Sequence, residues 1–163
     1  KNHISLEIMK QIIHAALAFI AFAIAFAILT SCASSKSSSV VSYGNNLSNY
    51  QYVIFGEISK DGSPELSDLL MIVSNEIAAK RTVISDSEVQ IKLRQGYKVI
   101  SPQINVKTER FDGGHTYITI TFRDYTTSET IAIVKSSGIG WSISQDQKMA
   151  LKAIRKELDK VFK

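Results

Sequence analysis

The stretch HTYITITFRDY, residues 115–125, alternates bulky apolar side chains with polar ones. Ile118, Ile120 and Phe122 occupy every second position, and threonines and an arginine lie between them. Because successive side chains of a β-strand point to opposite faces, this pattern predicts a strand with one buried and one hydrated face. Such strands are typical of antiparallel sheets.

The segments on either side of this stretch extend the prediction to a meander. Residues 97–111 and 129–136 are also rich in β-branched residues, and Asp112-Gly113-Gly114 and Thr127-Ser128 separate them from the central strand with turn-forming residues. Residues 50–58, YQYVIFGEI, combine β-branched and aromatic side chains and predict a further, buried strand. The sequence therefore predicts a four-stranded antiparallel sheet.

Two segments have the periodicity of amphipathic helices. Ser63 and Pro64 form a typical helix start before residues 64–80, and Ser144 begins a capping box before a helix that runs to the C-terminus. The apolar residues of both segments recur at intervals of three and four, as on one face of a helix. They are Leu66, Leu69, Leu70, Val73 and Ile77 in the first, and Leu151, Ile154, Leu158, Val161 and Phe162 in the second.

Residues 81–95 carry two conflicting patterns. Val89, Ile91 and Leu93 alternate as in a strand, but Ser85 and Glu88 have the spacing of a capping box, which favours a short helix. The sequence thus predicts an α+β domain over residues 50–163, with the element order β-α-(α)-β-β-β-α and two or three helices on one face of the four-stranded antiparallel sheet. Residues 32–49 are rich in Ser and Asn, and they predict a flexible tether before this domain.

An uncharged apolar run, IIHAALAFIAFAIAFAIL, occupies residues 12–29 and is just long enough to span a bilayer as a helix. Met9 and Lys10 before it resemble the positive start of a secretory signal, and small residues close the run. We therefore interpret residues 1–31 as a signal peptide whose natural start is Met9. A permanent membrane anchor and ordinary secretion remain as alternatives.

The end of the run, Leu29-Thr30-Ser31-Cys32, resembles the lipobox of bacterial lipoproteins, and Cys32 is the only cysteine of the chain. This resemblance implies that the Cys32 thiol receives a diacylglycerol and that a peptidase cuts before it. Acyl chains on a cysteine make a durable membrane anchor. An ordinary buried cysteine at the end of a transmembrane helix is the competing interpretation.

The residues after Cys32 bear on location. In Gram-negative lipoproteins an Asp at the next position commonly causes retention at the inner membrane, whereas this chain has Ala33. By that resemblance we expect the outer membrane and, without an acidic export cluster after Ala33, its periplasmic face. The element order resembles small Gram-negative envelope lipoproteins and, more distantly, domains of lipoproteins that assist secretion pores or activate peptidoglycan synthases. This resemblance implies no functional residue beyond Cys32.

Few residues suggest catalysis. After signal removal His115 is the only histidine, which excludes His/Cys zinc sites and Cys-His catalysis, and we expect no metal and no cofactor. His115 lies three residues after Asp112, beside a predicted turn. This position favours an exposed histidine at a strand end over a catalytic base. Gly138-Ile139-Gly140 lacks the third glycine of a dinucleotide loop.

The carboxylates that could in principle act as a hydrolytic pair are Asp112, Asp124 and Glu129, but turn and surface roles explain them equally.

The charge of the chain is +4, and its last helix is basic. Trp141, Lys148, Lys152 and Arg155 are candidate contact residues, for anionic lipid headgroups or an acidic partner, although a solvated helix face also explains the lysines. We predict a lipid-anchored, non-enzymatic accessory or assembly factor that binds an envelope protein or peptidoglycan and no nucleic acid. The alternative is a carboxylate-dependent envelope hydrolase.

Overall fold

The computed structural model describes residues 33–42, 45–56, 64–109 and 114–163. The predicted signal peptide (residues 1–31), the lipobox Leu29-Thr30-Ser31-Cys32 and Asp112 lie outside the described residues. Residues from Ser34 onward form one compact unit.

Six strands and three helices are present within the described residues, and a single 3-10 turn at Leu47–Asn49 lies between the first two strands. In chain order the elements are β1 (Ser34–Val41), β2 (Tyr52–Val53), α1 (Pro64–Ala78), β3 (Thr82–Val83), α2 (Asp86–Arg94), β4 (Val99–Glu109), β5 (His115–Asp124), β6 (Thr130–Ile139) and α3 (Ile143–Val161).

The strands form one mixed sheet in the order β1-β6-β5-β4-β2-β3. Strands β4, β5 and β6 run antiparallel, with Ile104 opposite Ile120 and Ile120 opposite Val134. Ile118, Ile120 and Phe122 are completely buried, as the alternation in β5 predicts. They lie in the main core, together with residues of α1 and α3.

The predicted four-stranded antiparallel sheet is wrong, first because of β1. The Ser-rich residues expected to form a flexible tether pair with β6 over eight positions, from Ser34 opposite Ile139 to Val41 opposite Ala132. An edge strand takes its stability from the ladder and from contacts on one face, so it does not need the apolar pattern from which strands are usually predicted. Composition therefore misled the prediction for this segment.

The second correction concerns the other end of the sheet, where the pairing is parallel. Within the described part of the expected long strand over residues 50–58, which is residues 50–56, strand pairing is confined to Tyr52–Val53, with β3 on one side and β4 on the other. The short β3 was not predicted either, and β1 and β3 together change the element order to β-β-α-β-α-β-β-β-α. Parallel neighbours require crossover connections, which α1 and α2 supply.

The helices cover both faces of the sheet, and the predicted arrangement on one face is wrong. The connection through α1 leads from β2 outward to β3, whereas that through α2 leads back across β2 to β4. Since both crossovers are expected to be right-handed, opposite directions place the helices on opposite faces. Accordingly Val53 and Ile100 belong to the main core, while their neighbours Ile54 and Val99 pack with Val89 of α2 in a second, smaller core.

The helix starts follow local capping. Helix α2 occupies part of the segment with conflicting patterns, and the Ser85 N–H donates to Glu88 Oε2 at 2.9 Å. This hydrogen bond, followed by one from the Ser85 hydroxyl, lowers the pKa of Glu88. The N-cap of helix α3 is Ser142, two residues before the predicted Ser144, and its hydroxyl accepts from the Gln145 N–H at 3.3 Å.

Arg81 joins three parts of the chain, and its replacement tests their association. Its guanidinium donates to the carbonyls of Leu47 at 3.2 Å and Phe162 at 3.3 Å, and it lies 4.7 Å from the centre of the Phe162 ring. We expect Arg81→Met to lower the free energy of unfolding by about 2 kcal/mol, because these two carbonyls and that of Lys80 lose a charged donor. Urea denaturation followed by circular dichroism measures this. Arg123→Met, at an exposed position, is the control; equal stability of both variants would contradict the role of Arg81.

Candidate functional site

Within the described residues, the helices leave one side of the antiparallel strands uncovered, and we call this surface the open face. On β4 and β5 it comprises the odd-numbered residues, because the even-numbered ones of β5 are buried in the core. The pairing registers identify the residues of β6 and β1 that lie on the same face as these odd-numbered residues. The principal residues of the open face are Lys36, Ser38 and Val40 of β1, Ile133, Lys135 and Ser137 of β6, Tyr117, Thr119, Thr121 and Arg123 of β5, and Gln103, Asn105, Lys107 and Glu109 of β4.

The registers arrange these residues in rows across the strands. One row runs Lys36, Ser137, Tyr117, Lys107, and the next runs Ser38, Lys135, Thr119, Asn105. A shallow open depression of about 380 Å³ lies over the β1 end of both rows. Six of its lining residues belong to the open face, namely Lys36, Lys135, Ser38, Ser137, Thr119 and Tyr117, and Ser37 and Ser136 complete the lining.

His115 belongs to the edge of the open face, not to a catalytic arrangement among the described residues. Its Nδ1 lies 3.0 Å from the Tyr117 hydroxyl. Lys107 Nζ donates to Glu109 Oε1 at 2.7 Å. This hydrogen bond raises the pKa of Lys107 and lowers that of Glu109. His115 and Tyr117 thus supply polar groups that are open to solvent.

Asp124, one of the candidate catalytic carboxylates, organises the β5–β6 turn. Its Oδ1 accepts from the backbone N–H groups of Thr126 at 2.8 Å and Thr127 at 2.9 Å, and its Oδ2 accepts from the Tyr50 hydroxyl at 2.9 Å. Burial would raise the pKa of Asp124, but these hydrogen bonds outweigh it and lower the pKa. For Tyr50, burial and the bond to Asp124 raise the pKa. Glu129 is exposed at the same turn.

The glycines before α3 have a packing role. Gly138 lies within β6, directly beneath α3, where a Cβ would meet the Asp146 carbonyl oxygen and, at 2.5 Å, the Ala150 nitrogen. Both neighbours of β6 are antiparallel to it, so the strand-to-helix connection is not part of a parallel β-α-β unit. Trp141 follows, and its side chain is 62% exposed.

Asp146 is a buried acid that was not identified from the sequence. It lies in the first turn of α3 and is completely buried, and its carboxylate oxygens have no hydrogen-bond partner among the described residues. A Cβ on Gly114, which has φ +79°, would approach Asp146 Oδ2 to 2.5 Å. An acid near the positive end of a helix dipole is stabilised there. No group of three or more potential metal ligands occurs in the described part of the chain.

The candidate contact residues of α3 do not form one site. Lys148 and Lys152 are exposed one turn apart. Arg155 is engaged with α1, since its Nη2 lies 2.7 Å from Glu76 Oε1. Trp141 precedes the helix. Neither α3 nor any other described helix combines the length and hydropathy needed to cross a bilayer.

The open face was not predicted as a site from the sequence, although the alternation of β5 carried part of the information. The polar positions of β5 predicted a hydrated face, but the sequence could not show that the Ser-rich segment extends this face with Lys36 and Ser38. A second depression, of about 380 Å³, lies near the start of α2 and is lined by Gly56, Asp86 and Tyr125, among others. None of the residues that line this second depression is a lysine or an arginine.

Comparisons with known proteins give little further information. No family model matches the sequence, and no curated protein matches it. Two solved structures of PelC dodecamers from Paraburkholderia phytofirmans are similar to this chain, one of them a single-substitution variant. Both are 14% identical, with a TM-score of 0.48, and the match covers 78% of this chain and 98% or 97% of theirs. A similarity at this level supports no conclusion about this protein.

Proposed function

We propose that this chain is a lipid-anchored binding module of the bacterial cell envelope, attached to the outer membrane through Cys32, facing the periplasm and acting without catalysis as an accessory factor. The observation that carries the binding role is the open face. Four strands present polar, basic and aromatic side chains to solvent on a surface that no described helix covers. A sheet face of this kind is a ready-made contact surface for an extended partner.

In this proposal very little chain separates the lipidated Cys32 from the folded domain. Only Ala33 separates Cys32 from the first residue of β1, so the chain between them spans at most about 7 Å. A lipid on Cys32 would hold the sheet edge close to the bilayer, without the spacer expected from composition. Ser34 pairs with Ile139, which places Trp141 near this end of the sheet. We therefore expect Trp141 to be the contact residue closest to the headgroups, where indole rings are favoured.

The anchor is tested by intact mass of the membrane-extracted protein and by membrane fractionation. We expect a mature species that begins at Cys32, carries the mass of acyl chains and sediments with the outer membrane. Cys32→Ala should abolish acylation and release or misprocess the protein. Ser31→Ala is the matched control, because it keeps a small residue in the lipobox and should be processed normally. A full-length, unacylated wild-type protein in the membrane would overturn the proposal in favour of a transmembrane helix.

The alternative of an envelope hydrolase gains no support from the described residues. The Asp124 carboxylate already accepts hydrogen bonds from the backbone of the turn and from the Tyr50 hydroxyl, and Glu129 is exposed at the same turn. Neither carboxylate lines either of the two depressions described above. The arrangement of the described residues therefore supports a binding role better than hydrolysis.

A further inference from the structure

We infer that the open face binds a linear acidic glycan, whose carboxylates pair with Lys36 and Lys135 and whose hydroxyl groups bond to the polar residues between them. This inference deepens the proposed binding role. It rests on that role for the presence of a ligand, but it does not depend on lipidation of Cys32. The juxtaposition that carries it is the pairing of β1 with β6, which brings the two lysines to adjacent strands.

The charge of the open face favours an anion. Among the described residues it carries four cationic side chains, Lys36, Lys107, Arg123 and Lys135, against one carboxylate, Glu109. Lys107 is already bonded to Glu109 at 2.7 Å. Lys36 and Lys135 are exposed and contact no carboxylate of the described residues. They lie on the lining of the depression, where an incoming anion would meet them together.

The remaining groups suit a sugar chain. Ser38, Ser137 and Thr119 offer hydroxyls that both donate and accept, and Asn105 extends the same row with an amide. The Tyr117 side chain is 37% exposed at the centre of the neighbouring row, so its ring is available to the apolar side of a pyranose. The chain of an acidic polysaccharide carries both carboxylates and hydroxyls, which can pair with the lysines and with the hydroxyl side chains of the open face.

The shape and chemistry of the open face make other occupants less suitable. Small ligands are usually enclosed by their pockets, whereas this depression is shallow and continues along the strands. A protein interface needs an apolar core, and the principal apolar side chains of this face are Val40 and Ile133, in the row beyond the lysines. Adjacent strands are about 4.8 Å apart, so the four strands provide a track of roughly 14 Å for an extended polymer.

The test uses the full-length gene product in non-ionic detergent, purified from whichever fraction contains it, so that failure of the anchor does not affect the measurement. Fluorescein-labelled polygalacturonate is titrated with the protein and followed by fluorescence anisotropy. We expect saturable binding that weakens as salt rises, since exposed charges are screened. The double variant Lys36→Gln, Lys135→Gln should weaken binding at least tenfold. Circular dichroism checks that the variant is folded.

The matched control is Lys156→Gln, Lys163→Gln, which removes the same charge from exposed positions in α3 and just after it. It should bind as the wild type does. Equal losses in the two double variants, or no binding of polygalacturonate, would overturn the inference. Equal binding of labelled dextran, a neutral glycan, would also overturn it. Stronger, lysine-dependent capture by phosphatidylglycerol vesicles than by polygalacturonate would assign the open face to lipid instead.

Discussion

Gly138→Ala is expected to lower the free energy of unfolding by about 3 kcal/mol, near the upper end of the usual cost of overpacking. The added methyl group would meet the Asp146 carbonyl oxygen, the Ala150 nitrogen at 2.5 Å and the Met149 Cβ at 2.8 Å. Two of these atoms belong to the backbone of α3, so no side-chain rotation can relieve the overlap. The helix would have to move away from β6.

Displacement of α3 would affect the core beyond Gly138. The Ser136 hydroxyl donates to the Ala150 carbonyl at 2.9 Å in a buried hydrogen bond that depends on the same close approach. The completely buried Ile154 and Leu158 of α3 belong to the main core. Since protein interiors tolerate little change of volume, loss of this fit should lower stability and loosen the packing.

Urea denaturation followed by far-UV circular dichroism measures the effect of Gly138→Ala. Gly56→Ala is the matched control, because no heavy atom lies within 4 Å of a Cβ built at that position. We expect its stability to remain within about 0.5 kcal/mol of the wild type. If the two alanine variants are equally stable, α3 does not pack against β6 as closely as described.

Glu157→Gln is expected to loosen β1 selectively and to lower the free energy of unfolding by about 1.5 kcal/mol. Glu157 is 3% exposed, and its oxygens accept from the hydroxyls of Ser37 and Ser39, each at 2.9 Å. Lys160 Nζ also donates to it at 2.7 Å. A glutamine cannot accept from both serines, because one of its terminal atoms is a donor.

The same carboxylate should make the attachment of β1 dependent on pH. The hydrogen bond from Lys160 is the main reason that the pKa of Glu157 is lowered; burial opposes this effect, and the bonds from Ser37 and Ser39 add to it. A group with a lowered pKa in the folded state stabilises it at pH above the unfolded value of about 4.5, and this contribution is lost as pH falls through the lowered value. In Glu157→Gln this part of the acid dependence should be absent.

Amide hydrogen exchange of β1 provides the specific readout for Glu157. We expect the amides of Ser34–Val41 that bond to β6 to exchange faster in Glu157→Gln than in the wild type, while those of β5 change little. Glu76→Gln removes a more exposed ion pair with Arg155 and should cost about 0.5 kcal/mol or less without affecting β1. Wild-type exchange of β1 in the Glu157 variant would show that the carboxylate does not hold this strand.

Local patterns predicted the elements that depend on local physics. The alternation of Ile118, Ile120 and Phe122 identified β5 and its buried face, because the pleat assigns alternate residues to one side. The Ser85 and Glu88 spacing correctly favoured a helix in the segment with conflicting patterns, since both capping groups lie within one turn. The lipobox prediction at Cys32 is likewise local, and it remains a prediction.

The sequence by itself thus determined the meander, the helices and their approximate starts. Only the tertiary structure decided that the Ser-rich segment is a strand, because its stability comes from β6 and from Glu157, which lies 120 residues after Ser37. Helix α2 lies on the other face of the sheet from α1 because of the order in which the parallel strands pair. That order depends on the path of the whole chain and not on any local segment. The open face depends on both local and long-range structure. Its polar alternation is local, whereas Lys36 and Lys135 come to adjacent strands only through the pairing of β1 with β6.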